Sequence, residues 1–370
     1  MKDIERSIES ATRWLLHSGI QNARGKLKGS VNAWYTPRKG YSYAYSEITG
    51  YWITTLLFLS NSKKDDSYVE RAESAAEWLR GAAGSKGAFM CRYTNPGGFL
   101  RHLCTFDNGI ILNALCNLYR KTEDEKYLAA ACRCAEWIVS MQHRDGSFNA
   151  KYDVASKSYI EERHWSRMPG SYHCKVAIGM LNIFDLTNDE RFMSCGKRIC
   201  DWSMNLQKGD GNFITDGREE TYMHPHCYTI EGLAAAGEIL KNKSYTDSAV
   251  RACEWMLKRG QLPSGGIAHN YNSRHFSNCE RTDSTAQALR ISMLLNPSRK
   301  GRKTQQEKMV NRLQEFQSQN EEQREEGGFI YGEHNGAILG DISAHGTMFA
   351  LQALMLYTQR EMNFNWFLYI

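Results

Sequence analysis

The chain predicts an all-α (α/α)6 toroid, a six-hairpin barrel. Three observations carry that prediction: a unit that recurs along the chain, a strict alternation of two helix types, and connections that are long at one end and short at the other. The unit is plainest in "YVERAESAAEWLRGAAGSKGAF" (68–89), "YLAAACRCAEWIVSMQHRDGSF" (127–148), "FMSCGKRICDWSMNLQKGDGNF" (192–213) and "YTDSAVRACEWMLKRGQLPSGGI" (245–267). Each opens on an aromatic residue, runs through an amphipathic stretch to an acid–Trp pair, and closes in a glycine-containing turn. Trp78, Trp137, Trp202 and Trp255 are 59, 65 and 53 positions apart, which is the spacing of supersecondary units.

Taken in order, the outer series starts with "IERSIESATRWLLHSGI" around Trp14, continues through those four units, and ends with "EKMVNRLQEFQSQN" before "EEGGFIY". One apolar stripe per helix places this series outside. Between its members lie "EITGYWITTLLFLS" (47–60), "FDNGIILNALCNLY" (106–119), "YHCKVAIGMLNIFDL" (172–186), "HCYTIEGLAAAGEIL" (226–240), "DSTAQALRISMLL" (283–295) and "ISAHGTMFALQALMLY" (342–357). These are apolar nearly all round and rich in small residues, so they belong inside. Six of each give an inner ring of parallel helices within an outer antiparallel ring. Gln142–Phe148 reads as a helix end plus a glycine turn, and strand-like stretches are few. One barrel domain is expected over 1–360, with 361–370 as an apolar tail docked on it.

The connections separate two faces. "SNSKKDDS", "RKTEDEK", "LTNDE" and "KNKS" are short charged turns, whereas "GKLKGSVNAWYTPRKGYSYAYS" and "NAKYDVASKSYIEERHWSRMPGS" are long and irregular. Long loops on one face mark a functional rim. The inner helices all start there and bring Glu47, Asp107 with Asn108, His173, His226 with Tyr228 and Glu231, Asp283 and His345 to one mouth. Capping explains an Asp at a helix start, but it favours Ser, Thr and Asn over His and Tyr. The first set therefore reads as candidate acid–base groups: Asp107, Asp283, Glu47, His226, Glu231, His173 and His345.

Tyr45, Trp52, Trp165 and Tyr228 are candidate platforms for the apolar face of a sugar. Arg92, Arg101, His102, Arg163, Arg167 and Arg281 supply cations suited to a carboxylate or phosphate. A basic, aromatic cleft points to an anionic saccharide. Two carboxylates across it would serve glycoside cleavage, and His or Tyr pairs would serve epimerisation or uronate elimination.

A formal net charge of +5 with interspersed signs, and no helix-turn-helix, zinc-finger or RNP-type motif, argue against a nucleic-acid partner. The N-terminal "MKDIERSIESATRWLLHSG" lacks an apolar leader core, and no stretch reaches the roughly 20 apolar residues of a membrane span, so a cytoplasmic protein is expected. Eleven cysteines without a CxxC read as buried reduced thiols. His224-Pro-His226 has HxH spacing but no matched third ligand, and GxGxxG, P-loop, GxSxG and HExxH motifs do not occur, so neither metal nor cofactor is expected. An oligomer is left open.

"EWIVSMQHRDGSF", with the inner-helix openings "SEITGYW", "TFDNGIIL" and "TDSTAQALR", resembles the six-hairpin glycosidase superfamily over essentially the whole chain. That group includes the unsaturated glucuronyl hydrolases and, in related toroids, the N-acylglucosamine 2-epimerases. Resemblance to the hydrolases implies mouth aspartates, matched by Asp107 and Asp283. Resemblance to the epimerases implies paired histidines, matched by His226 and His345. Terpene cyclases and prenyltransferase subunits share similar toroids and turns, but neither DxDD nor DDxxD occurs here. The leading expectation is a glycoside hydrolase acting on an acidic, uronate-containing saccharide. A sugar epimerase or uronate lyase is the alternative, and a non-catalytic glycan-binding toroid the third reading.

Overall fold

The computed structural model describes residues 3–84, 86–94, 97–162, 164–215, 219–272, 274–295, 301–359 and 364–370. Arg163 and the expected domain boundary at 360 lie outside the described residues.

Helices run in the order α1 (Ile4–His17), α2 (Ser46–Lys63), α3 (Ser67–Ala82), α4 (Thr105–Thr122), α5 (Glu125–Ser140), α6 (Val176–Thr187), α7 (Glu190–Asn205), α8 (Met223–Ile239), α9 (Lys243–Arg259), α10 (Thr282–Leu294), α11 (Arg302–Phe316) and α12 (Ala344–Thr358). A 3-10 turn at Ser171–Lys175 leads into α6. Even-numbered helices form the inner ring, each touching the next, with α12 against α2. Each inner helix packs against the outer helix that follows it, and α12 packs against α1 so that the two ends of the chain close the ring. The (α/α)6 toroid expected from the repeat is therefore the fold.

The inner helices are buried nearly throughout, which is why their sequences carry no polar stripe. Small residues let them approach closely. A Cβ on Gly232 of α8 would stand 2.3 Å from the Cys174 carbonyl carbon, so only glycine fits there.

The repeated turn is a stitch between neighbouring outer helices. The Gln142 side-chain amide donates to the Gly146 carbonyl at 3.0 Å and to the Cys195 carbonyl of α7 at 3.0 Å. Gln207 does the same to Gly211 and Ser248, Gln261 to Gly265 and Gln305, Gln317 to Gly327 and Ser7, and Gln21 to Gly29 and Arg71. The turn glycine has φ +99° at Gly146, and a Cβ there would lie 2.5 Å from the Arg198 carbonyl oxygen. Left-handed backbone and close approach both demand glycine at that point. At the remaining turn Ala83 replaces the glutamine, and a groove of about 240 Å³ lined by Ala83, Gly87 and Ala130 opens beside it.

The C-terminal segment fills the end of the barrel opposite the rim. The Phe367 carbonyl accepts from Asn113 and Asn117, Gln352 donates to the Leu368 carbonyl, and Ile370 is fully buried. The apolar tail is thus docked in the ring. No helix among the described residues is long and apolar enough to cross a membrane.

Candidate active site

Among the described residues the long loops fold into four small antiparallel sheets over the start of the inner helices. The largest spans loops from both ends of the chain and fixes Trp34 opposite Ser343 and Arg281 opposite Gly332. Beneath the sheets the helix mouths open into a cleft of about 660 Å³, within the range of small-molecule sites. Two groups of titratable side chains face it.

On the α2–α4 side stand Glu47, Asp107 and Tyr45, with the thiols of Cys91 and Cys104. Burial, reinforced by Asp107, pushes Glu47 up to about 8. Burial and the neighbouring Cys91 thiol hold Asp107 well above the carboxylate range. Asp107 Oδ2 is buried with no hydrogen-bond partner among the described residues. At neutral pH Glu47 therefore keeps its proton, as two crowded carboxylates in low dielectric must.

On the α8–α12 side Asp283 gathers the polar groups. His345 Nε2 lies 2.9 Å from Asp283 Oδ2, His224 Nδ1 lies 3.6 Å from it, and Arg281 donates to the same oxygen. Burial opposes ionisation of Asp283, but Arg281, His224 and His345 overcome it and hold the carboxyl well below its usual range. Burial drives His224 down to about 3 despite Asp283. The two imidazole rings are 6.0 Å apart, centre to centre. His224, Asp283 and His345 could chelate a cation, but Arg281 already neutralises the shared oxygen.

The tautomer of His224 follows from what lies beneath it. Glu231 accepts from Lys175 at 2.7 Å, Arg290 at 3.1 Å, Tyr369 at 3.0 Å and the Gln287 amide nitrogen at 3.2 Å. With its NH2 committed to Glu231, Gln287 turns its oxygen to His224 Nδ1 at 2.7 Å. Nδ1 must carry the proton, which leaves Nε2 as a free base.

The structure brings Asp107, Glu47, His345, Tyr45, Arg92, His102, Trp165, Arg167, Tyr228 and Arg281 to the cleft, with Asp283 directly behind His345 and Arg281. It takes five expected site residues elsewhere. His226 is fully buried on the side of α8 away from the cleft, its ring tilted against Phe213 and Trp255, with Nε2 3.4 Å from the Ala252 carbonyl. His173 packs on Phe148 in the same way one repeat earlier. In four other repeats Thr49, Asn108, Thr285 and Thr347 stand at this fourth helix position and accept the turn's backbone N–H. His173 and His226 take the corresponding places without accepting that N–H: both His173 ring nitrogens and His226 Nδ1 are buried with no hydrogen-bond partner among the described residues. Glu231 lies two turns below the mouth and anchors the network under the floor. Trp52 is fully buried in the core, and Arg101 is exposed outside the cleft.

His224 stands among the four mouth histidines of the sequence, 173, 224, 226 and 345, but the HxH spacing gives it no advantage over His226, and the pairing falls on His226 with His345. The signal was its register: it is the second residue of its helix, as Glu47, Asp283 and His345 are of theirs. Cys91 and Cys104 were absorbed into the general reading of buried thiols. None of the eleven cysteines is in a disulfide, and these two are half-buried at the rim.

Residues 48–326 match the squalene-hopene cyclase C-terminal domain family. The chain belongs to that family. The family name brings the toroid and its glycine turns, while the aspartate-rich segments sought above are absent from the sequence. No curated protein sequence matches the chain. Among solved structures, it is similar to a cellobiose 2-epimerase from Bacillus thermoamylovorans B4167, with a TM-score of 0.79, 12% identity, and 95% of this chain and 99% of that one covered. It is also similar to a D-mannose isomerase, with a TM-score of 0.77, 10% identity, and 95% and 97% covered. An unsaturated glucuronyl hydrolase specific for heparin gives a TM-score of 0.71, 14% identity, and 96% and 97% covered. At these identities the likeness is one of fold.

Proposed function

We propose that this chain is a carbohydrate-active enzyme that moves a proton at a carbon next to a sugar carbonyl, as an epimerase or isomerase does. One observation carries the reading: two imidazoles, His224 and His345, stand 6.0 Å apart on one side of the cleft with their partners fixing different roles. His224 is a neutral base with a free Nε2. His345 is held at the cleft by both ring nitrogens, Nε2 2.9 Å from Asp283 Oδ2 and Nδ1 3.2 Å from Ser343 Oγ, and from that fixed position beside His224 it is the group placed to hand a proton back. Buried Arg281 Nε, which has no partner among the described residues, supports an enolate oxygen. Trp34 and Trp165 offer faces for the sugar rings. The fold shared with a cellobiose 2-epimerase and a D-mannose isomerase agrees with this assignment.

A glycoside hydrolase is the second reading, favoured by the proton held on Glu47 beside Asp107. For an anionic substrate, Arg92 is the cation with capacity to spare, since its Nε has no partner among the described residues. Arg167 and Lys151 are both committed to Glu162, whereas Arg281 pairs with Asp283 through a terminal nitrogen and keeps its Nε for the sugar oxygen. His224→Gln and His345→Gln are each expected to lower turnover on the active sugar by about 10²–10⁴-fold, with Kd for the sugar changed only a few-fold. Loss of turnover in Asp107→Asn, with both histidine variants active, would replace epimerisation by hydrolysis.

A further inference from the structure

We infer that the α2–α4 side of the cleft is a binding site for a thiophilic divalent cation, zinc foremost, held by Cys91, Cys104 and Asp107. The inference is independent of how the histidines act.

Three donors converge there from rigid pieces of the fold. Cys91 is pinned by its N–H donating to the His102 carbonyl at 2.9 Å. Cys104 ends the rim strand His102–Cys104, which pairs with Lys151–Asp153. Asp107 is the third residue of α4. Their two sulfurs and a carboxylate oxygen all lie within 4.8 Å of one another. Ligand atoms around tetrahedral zinc stand roughly 3.5 Å apart, so side-chain rotation alone closes the set.

The donor chemistry is selective. Two thiolates with one carboxylate favour zinc over magnesium or calcium, which prefer oxygen throughout. The independent observation is Asp107 Oδ2, a buried carboxylate oxygen with no hydrogen-bond partner among the described residues. Such an atom costs free energy unless something binds it. A disulfide between the two cysteines would leave it orphaned, whereas a cation would not. Three protein donors beside an open cleft match a catalytic metal position, with the fourth place free for water or a sugar oxygen.

The test uses the reduced, chelator-stripped full chain, titrated with Zn2+ against a chromophoric chelator and separately with Co2+. One equivalent of zinc is expected, with a thiolate-to-cobalt charge-transfer band. Cys91→Ser and Cys104→Ser should each weaken zinc binding at least about tenfold and remove most of the band. Asp107→Asn should weaken binding but keep the band, and Cys132→Ser should change neither. Wild-type zinc uptake no greater than that of the Cys91→Ser/Cys104→Ser double variant overturns the inference. So does air oxidation of the pair at a rate that saturating zinc leaves unchanged. Both readouts are separate from turnover, so this site can fail while the sugar chemistry stands, and the reverse.

Discussion

His224 is defined by its neighbours more than by its own type. The amide of Gln287 presents an acceptor to Nδ1 only because its nitrogen is held by Glu231. Gln287→Leu should release that choice, and the His224 ring nitrogens in long-range 1H–15N spectra should move from the Nδ1–H pattern toward Nε2–H. Turnover should fall about 10–100-fold, as when outer partners of a working imidazole are lost. An unchanged tautomer would disconnect Glu231 from the chemistry. His173 and His226 carry a different consequence. Burial lowers them to about 3 and about 4, below the ordinary histidine value. The unfolded chain therefore binds more protons than the folded one below about pH 6.5, and stability drops as pH falls through that window. His173→Asn, which copies Asn108, should flatten the loss of stability between pH 6.5 and 4 in urea titrations and leave turnover within about threefold. A pH dependence equal to wild type would mean that the ring is not buried neutral.

At the level of the element, the glycine turn with its glutamine is the repeat's working part. Five turns have the glutamine, and Ala83 breaks the series. Ala83→Gln should place an amide in the adjacent groove, within reach of the Gly87 and Ala130 carbonyls, and raise stability by about 1 kcal/mol. Gln207→Ala should lose about 1–3 kcal/mol in the same assay. Equal stability of Ala83→Gln and wild type would refute the stitch. The glycine turn was legible in the sequence, because a turn needing left-handed glycine leaves residues that repeat, whereas the glutamine's reach to the next helix was not, since that contact is made between neighbouring units of the ring. The mouth was legible by helix and not by residue. Neighbouring positions at a helix start differ by about 100° in direction, so a shift of two exchanges His224 for His226 and cleft for core. The pairing of Cys91 with Cys104 depends on two loops meeting and has no local signature.

Across the whole molecule, the ring is closed twice, by α12 on α1 at its wall and by the C-terminal segment at its far end. Buried Lys175, Glu231 and Arg290 satisfy each other and the tail: Arg290 donates to the Ile370 carbonyl at 2.5 Å and Tyr369 to Glu231 at 3.0 Å. Removing 364–370 takes away the carbonyl acceptors that Asn113, Asn117, Gln352 and Arg290 use in the tail and should cost several kcal/mol, roughly 1–3 for each donor left unsatisfied. A truncated chain that melts within about 2 °C of the full one would show the tail to be ornamental. The same architecture separates a rigid floor from a rim of loops, which is where a toroid places chemistry.

The measurement that bears most directly on the central claim is turnover in heavy water across a panel of reducing and uronate-containing oligosaccharides, read by mass spectrometry and NMR. Proton transfer through His224 and His345 is expected to give a product of unchanged composition with one deuterium on the carbon beside the carbonyl, and none in His224→Gln. Shorter products carrying one added water, with no deuterium on carbon, would contradict it.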